Sequence, residues 1–397
     1  MLVLKNAKIH TVLNGTIDRG DILIENGKIA RVAPSGGFEI PAGARVMELD
    51  GMTVTPGLID PHTHISTSDE PTFGRSDVNE PGVPNASFGR AADALNPFDI
   101  AIRTARSAGF TTCCTMPGSA NVIGGTSIVF KTRPAKTVFD MMIPGSEQMK
   151  MALGENPKNS HNKTRMGVAA LLRETLFNAR SYAEKLEKSP DTARDFKLDA
   201  LVPVVTGKMK ARIHCHRADD IVTAIRICEE FGLDFALEHA TESHRIPEVL
   251  AERGITATIG PLTTTPYKKE IWRRRLDTPA ILEKAGVNFC LTADTGMNTR
   301  WLPTHIGTCM TYGLSFDAAL KAVTLNAARL LGQNTIGAIA EGCDAELAVF
   351  DGMPFSNLTV CRYTVFGEEV IKSDRLYDLL GDEMTVGESG DYMYEVR

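Results

Sequence analysis

Between residues 53 and 293 the chain alternates short apolar runs with amphipathic stretches, a texture that limits it to α/β architectures built on a parallel sheet. Eight runs read as strands, near 53–58, 111–116, 126–131, 148–153, 209–215, 234–238, 255–260 and 287–293. Helices fit between several of them, most clearly over 97–109, 168–188, 220–231, 244–253 and 279–285. After the fifth strand, Ile221, Ala224, Ile225 and Cys228 make an apolar stripe at helical spacing, and Asp219 or Asp220 can cap its start. Eight strands with interleaved helices favour a closed (β/α)8 TIM barrel over an open doubly wound sheet. No GxGxxG fingerprint follows the first strand, which argues against dinucleotide binding.

The two ends have a different texture. Residues 1–56 read as short strands joined by turns, with Asn14-Gly15 and Asn26-Gly27 as hairpin signals. Matching short strands recur over 345–350, 360–366 and 369–372. Neither end is large enough to close a sandwich alone. The expectation is a composite β-sandwich domain, residues 1–56 and 336–397, beside a barrel domain over 57–335. Two irregular segments, 66–98 and 154–167, interrupt the alternation on the rim where barrel active sites are built.

Charge and cysteine usage narrow the partners. A formal net charge of −6 argues against nucleic acid, and the basic runs Lys268-Lys269 and Arg273-Arg274-Arg275 read as a solvated helix face. No run of eighteen apolar residues appears, so no membrane span is expected, and the N-terminus carries no signal-peptide core. Eight scattered cysteines without a CxxC pair read as reduced, buried thiols of a cytoplasmic protein. The expected partner is a small-molecule substrate; a homo-oligomer is compatible with the chain but nothing in it specifies one.

Polar residues at the ends of the expected strands form a consistent set. The first strand runs into His62-Thr63-His64, and histidines at i and i+2 on extended backbone share a face, as two metal bonds of about 2.0–2.1 Å require. Alone, the pair fits two exposed histidines in a turn equally well. The fifth strand ends in His214-Cys215-His216, the sixth in His239, and the eighth in Asp294. Nine histidines scattered at random would rarely put five at strand ends on one rim. Singly, His214 and His239 fit structural histidines and Asp294 fits a helix N-cap. Together they read as a metal-ligand set suited to Zn2+, with Mn2+, Fe2+ or Co2+ also fitting. His216 can be a ligand, a substrate hydrogen-bonder or a surface residue. Arg217 either pairs a substrate carboxylate or closes a salt bridge to Asp219 or Asp220. Asn121, in the Gly-rich loop after the second strand, is a candidate substrate contact on the same rim.

The run Val54-Thr-Pro-Gly-Leu-Ile-Asp-Pro-His-Thr-His64, the ligand set, and the late segments Thr324–Gly332 and Gly337–Phe350 together resemble the amidohydrolase superfamily over nearly the whole chain. Within it the chain looks closest to the imidazolonepropionase-related branch, which includes metal-dependent dipeptidases of the prolidase type. The resemblance implies a hydrolase of carbon–nitrogen bonds other than ordinary peptide bonds, acting on a cyclic amide or imidazolone or on a dipeptide-like amide. It implies His62, His64, His214, His239 and Asp294 as ligands of one or two cations. Asp294 would carry the proton of a metal-activated water to the leaving group, and His239 would help polarise the carbonyl. Binuclear members add a bridging carboxylate after the fourth strand, and here Lys150, once carboxylated, or Glu155 could serve; a mononuclear site would use neither. Lys150 stands between apolar residues, where a neutral or carboxylated amine is favoured over an ammonium. The rival within the fold is a deaminase, whose relatives place a Glu three residues after the strand-five histidine, where this chain has Arg217 or, counted from His216, Asp219. The rival from another class is a non-catalytic binding protein on the same barrel, against which the complete ligand set argues.

Overall fold

One Asn-Gly pair makes a tight hairpin turn, because a two-residue hairpin needs left-handed backbone at both positions: Asn26 has φ +53° and Gly27 has φ +77°. The protein is described here by a computed structural model covering residues 1–68, 76–189, 191–374, 384–386 and 392–394. Residues 69–75 of the loop expected over 66–98, and most of the chain beyond 374 that was expected in the terminal domain, lie outside the described residues. In chain order the strands are β1 (Leu2–His10), β2 (Thr16–Glu25), β3 (Lys28–Pro34), β4 (Arg45–Glu48), β5 (Thr53–Pro56), β6 (Leu58–Thr63), β7 (Phe110–Thr115), β8 (Ile123–Thr126), β9 (Ile128–Lys131), β10 (Met149–Ala152), β11 (Ala211–Cys215), β12 (Phe235–His239), β13 (Ala257–Ile259), β14 (Phe289–Leu291), β15 (Glu346–Phe350), β16 (Cys361–Phe366) and β17 (Glu369–Lys372). A short antiparallel pair, Met384–Val386 with Tyr392–Tyr394, follows.

The chain ends meet in one mixed sheet of order β17-β16-β15-β5-β1-β2-β3, with β4 paired to β1. Its seam is the antiparallel β5–β15 pair, in which Leu347 lies opposite Pro56 and Phe350 opposite Thr53. Leu4, Ile9, Ile22, Val54, Leu347 and Val365 bury their side chains in a separate apolar cluster of this sheet.

The run expected as one first strand over 53–58 is two strands serving different sheets. Gly57 is the break: its N–H donates to Glu346 O at 2.8 Å, while the next N–H, of Leu58, donates to Gly109 O at 2.9 Å. A Cβ at position 57 would run into Thr111, so only glycine lets the chain pass there. The 126–131 run is likewise two strands, β8 antiparallel to β10 and β9 antiparallel to β7, with Ser127 between them. Periodicity cannot reveal a one-residue break inside an apolar run, because both halves remain buried.

Two arcs of strands carry the candidate residues. One has order β14-β13-β12-β11-β10-β8, parallel from β10 to β14, and the other has order β6-β7-β9 with β6 and β7 parallel. Thr292, just past β14, ties the arcs at the rim: its Oγ1 lies 2.5 Å from His62 O and 2.7 Å from Asp60 Oδ1. Helices Ile100–Ser107, Arg165–Lys188, Ala218–Glu230, Pro247–Glu252 and Thr278–Lys284 lie where the apolar stripes put them. Ile221, Ala224, Ile225 and Cys228 are all buried, as their spacing requires. The capping expected from Asp219 or Asp220 is corrected: the N-cap is Arg217, with no side-chain cap bond, and Asp220 instead accepts from Arg165 Nε at 3.1 Å. Among the described residues no helix is long and apolar enough to cross a membrane. All eight cysteines are free, and seven of them are buried.

Candidate active site

Parallel pairing brings the C-terminal strand ends to one edge, and the candidate residues stand there. His62 lies within β6 and His64 just beyond it; His214 lies within β11 and His216 just beyond it; His239 closes β12, and Asp294 follows β14. Two of these positions carry left-handed backbone that side-chain-bearing residues rarely adopt, His239 at φ +68° and Asp294 at φ +70°. Local bonds hold both turns: Asp294 N–H donates to Thr292 Oγ1 at 2.9 Å, and His239 Nδ1 donates to Gly260 O at 2.6 Å. Gly260 packs its Cα against Thr292, leaving no room for a side chain.

His62, His64 and Asp294 form one group of donor atoms within 4.8 Å of one another. Asp294 Oδ1 lies 3.5 Å from His62 Nε2, 3.6 Å from His64 Nε2 and 3.9 Å from His239 Nε2. Each ring is held through its other nitrogen. His62 Nδ1 meets Glu238 Oε2 at 2.5 Å, and His64 Nδ1 meets Met116 O at 2.8 Å. A carbonyl can only accept, so Nδ1 of His64 and of His239 carries the proton and Nε2 keeps its lone pair. This is how outer hydrogen bonds orient imidazoles toward a cation. In that tautomer His239 offers a lone pair, the role of a ligand, rather than an N–H to a substrate carbonyl.

Electrostatics favour neutral His62 and His239 beside an ionised Asp294. Burial pushes His62 well below the usual histidine value, and pushes His239 down to about 4. Burial alone would raise Asp294, but His239, His64 and His62 outweigh it and hold the carboxyl well below the ordinary carboxylate range. Lys150 is wholly buried, with Nζ 3.1 Å from His62 Nε2, and burial brings its amine down to about 8. Behind His62, Glu238 takes Arg212 on its second oxygen, and Arg212 also donates to Gln148 Oε1 at 2.7 Å. Burial would raise Glu238, yet Arg212 and His62 bring it down to about 2.

His214, His216 and Glu270 form a second group of donors within 4.8 Å. Glu270 belongs to the single helical turn Lys269–Ile271 after β13. His239 stands between the groups, its ring centroid 4.8 Å from that of His62 and 4.5 Å from that of His214. A cavity of about 320 Å³ opens onto both groups, lined also by Asn156, Asn159, Tyr267 and Lys268. That volume suits a small polar molecule.

Three sequence-predicted residues stand apart from both groups. Glu155 turns its carboxylate to the backbone N–H of Glu270, 3.2 Å away, at the start of the helix Glu155–Ser160. Asn121 spends its amide on the chain itself, donating to Val83 O at 2.5 Å and Glu80 O at 2.7 Å. Arg217 pairs with Asp219 in a two-pronged bridge at 2.9 and 2.8 Å and lines a different surface groove. Because that bridge is solvated, Arg217→Ala is expected to shift Tm by less than about 2 °C. The same variant is expected to leave KM unchanged; steady-state kinetics with a thermal melt checks both.

Sequence reasoning missed Glu238, Arg212, Glu270 and Lys268. A legible signal existed for the first two: a charged residue inside an apolar strand must find a partner. None existed for Glu270, which lies on a loop without fixed spacing. The basic run containing Lys268 does not form a solvated face throughout, since the Lys268 side chain is only 9% exposed and its Nζ lies 3.0 Å from Glu270 Oε1.

Comparison with known proteins gives a consistent answer. Residues 53–375 match the amidohydrolase family model. The chain is 28% identical over 376 residues to the amidohydrolase tasK of Hapsidospora irregularis, which covers 84% of this chain, although this chain spans only 38% of that protein's length. It is 25% identical over 372 residues to the imidazolonepropionase of Idiomarina loihiensis, covering 87% of this chain and 89% of that one. The crystal structure of an amidohydrolase from Thermotoga maritima MSB8 superposes with a TM-score of 0.89 at 34% identity, covering 94% of this chain and all of that one.

Proposed function

The chain belongs to the amidohydrolase family and is a hydrolase of carbon–nitrogen bonds, and on that premise we propose that it opens a small cyclic amide of the imidazolone type, or a dipeptide-like amide, with the help of a divalent cation held by His62, His64 and Asp294. The observation that carries this reading is the convergence of three donor atoms at one strand edge, with both histidines anchored through their far nitrogens. The donor set suits Zn2+, and Mn2+, Fe2+ or Co2+ also fit it.

When bound, such a cation supplies a Lewis acid and brings the pKa of a water down to about 7. The chain supplies the rest. Asp294, kept ionised by the surrounding imidazoles, takes the proton of the attacking water and returns it to the leaving nitrogen. His239 borders the same carboxylate as a further lone-pair donor. Glu238 and Arg212 hold His62 in its tautomer. Lys150, with its amine at about 8 beside His62, is the residue that, once carboxylated, would join two cations were a second one bound, in preference to Glu155. The polar cavity wall supports a small polar substrate. We read the two strand arcs as one (β/α)8 barrel over 57–335, and the terminal sheet as a composite β domain beside it. The free cysteines support a reducing compartment, the cytoplasm.

The test is metal analysis joined to a hydrolysis screen. Purified protein is expected to carry bound transition metal, to lose turnover of hydantoins, imidazolones or dipeptides on chelation, and to regain it when Zn2+ or Mn2+ is returned. Less than about one-tenth of an equivalent of metal, with no activity on reconstitution, would sink the reading. Release of ammonia from an aminated ring, measured in parallel, would replace it with a deaminase.

A further inference from the structure

One wall of the cavity is oriented to donate hydrogen bonds. The Lys268 side chain is 9% exposed, and its Nζ lies 3.0 Å from Glu270 Oε1 and 3.1 Å from Asn156 Oδ1. An ammonium donates and never accepts, so the oxygen end of the Asn156 amide must face it. The other end, Nδ2, then donates to Ser119 Oγ at 2.7 Å. With its oxygen accepting there, the Ser119 hydroxyl keeps its own hydrogen, which meets no acceptor among the described residues. Asn79 repeats the arrangement: the backbone N–H of Ala120 donates to Asn79 Oδ1 at 2.8 Å, which leaves Nδ2 as the free end.

Asn79, Ser119 and Lys268 line the same cavity as His64, His239 and Asp294. The cavity is therefore polarised. Imidazole nitrogens and the Asp294 carboxylate offer lone pairs at the strand edge, whereas Asn79 and the loop between β7 and β8 offer hydrogens. A substrate whose amide carbonyl is turned to the strand edge must present acceptors to the loop. A carboxylate answers that need best. It carries about four lone-pair sites and no hydrogen, and its hydrogen bonds are roughly twice as strong as those between neutral groups. A carboxamide in its place would turn N–H groups toward other donors.

We propose that Ser119 and Asn79 form a carboxylate-binding subsite, and that Lys268 is a positioning residue that sets the direction of the Asn156 amide and through it of the Ser119 hydroxyl. The substrate is then a small amide bearing a free carboxylate. Glu270 balances the charge of Lys268, so the lysine acts through this orientation and not as the counter-charge of the substrate. The scissile amide of that substrate rests on the hydrolase reading above; the carboxylate rests on the donors of the loop.

The experiment measures binding by isothermal titration calorimetry on the full-length protein as purified, with bound metal counted on the same sample. The probes are two matched pairs: hydantoin-5-acetic acid with hydantoin-5-acetamide, and N-acetylglycine with N-acetylglycinamide. Wild type is expected to bind each acid at least about tenfold more tightly than its amide, the worth of one hydrogen bond to a charged group. Ser119→Ala is expected to bring both ratios close to unity by weakening the acids alone, with the thermal melt unchanged. Lys268→Met should do the same to a lesser degree, and Lys268→Arg, which still donates to Asn156, should restore the preference. A lysine with a merely structural role would change both members of a pair alike. Equal affinities within both pairs in wild type, no binding of either acid, or a preference that Ser119→Ala retains would overturn the subsite. A retained preference is the result expected if the carboxylate instead binds a cation at His62, His64 and Asp294. The hydrolase reading stands or falls separately, on the metal count and the turnover screen.

Discussion

Asp294→Asn is expected to lower kcat by about 10³-fold or more while shifting Tm by no more than a few degrees, because it removes a proton carrier worth roughly 10²–10⁴-fold without altering the shape of the side chain. The geometry makes the case. Asp294 Oδ1 stands 3.5, 3.6 and 3.9 Å from three imidazole nitrogens, and its side chain is 14% exposed, open to the cavity rather than sealed in the core. Asparagine keeps the left-handed backbone at φ +70°, which Asn tolerates better than most residues, so the strand end is preserved. The measurements are steady-state kinetics on whichever amide the screen identifies, together with a thermal melt. Undiminished turnover would remove Asp294 from the reaction.

The second large effect is on stability. Glu238→Ala is expected to cost about 3–5 kcal/mol, because it leaves the Arg212 guanidinium buried without its carboxylate. Both side chains are fully buried, and the same carboxylate anchors His62. The variant is therefore expected to lose turnover as well as stability. Replacing the pair together, Arg212→Met with Glu238→Leu, should recover much of the stability, since neither charge is then stranded. It should not recover turnover, since His62 still lacks its anchor. Urea unfolding of the single and double variants, with kcat measured on each, separates the two roles. Recovery of full activity in the double variant would show that Glu238 does not position His62.

The same pair sets a pH dependence. The Glu238 carboxyl sits at about 2 in the folded protein against an ordinary 4.5, so the unfolded chain binds its proton first as acid is added. Its stabilisation is fully present above pH 4.5 and is lost as pH falls from there toward 2. The urea midpoint of wild type should fall across that window, and that of the double variant should fall less.

Much of the candidate rim was legible because its residues sit on regular elements. His62, His64, His214, His239 and Asp294 were all placed at strand ends from the alternation of apolar runs, and the structure brings them to one edge. What could not be read was who faces whom. Asn121 lies after the second strand as expected, yet its amide closes a loop rather than lining the cavity. Lys150, between apolar residues, was favoured over Glu155 as a bridge, with a site that uses neither also open. Lys150 lies on β10, where strand register carries its Nζ to His62, whereas Glu155 lies beyond a left-handed glycine that turns the chain away toward Glu270.

By itself the sequence determined the α/β alternation and the histidine pairs on extended backbone, because each strand and turn depends on its own neighbours, and the amidohydrolase likeness, because its motifs are local runs in a fixed order. Only the tertiary structure decided that the His214–His216 pair meets a loop carboxylate, Glu270, and is grouped apart from Asp294. It alone decided that an Arg–Glu pair buried inside two adjacent strands holds His62 from behind. These partnerships span 26 to 176 residues of chain, as from Arg212 to Glu238 and from His62 to Glu238, and no local pattern encodes them. Register between strands fixes them, since a shift of one residue turns every side chain to the opposite face.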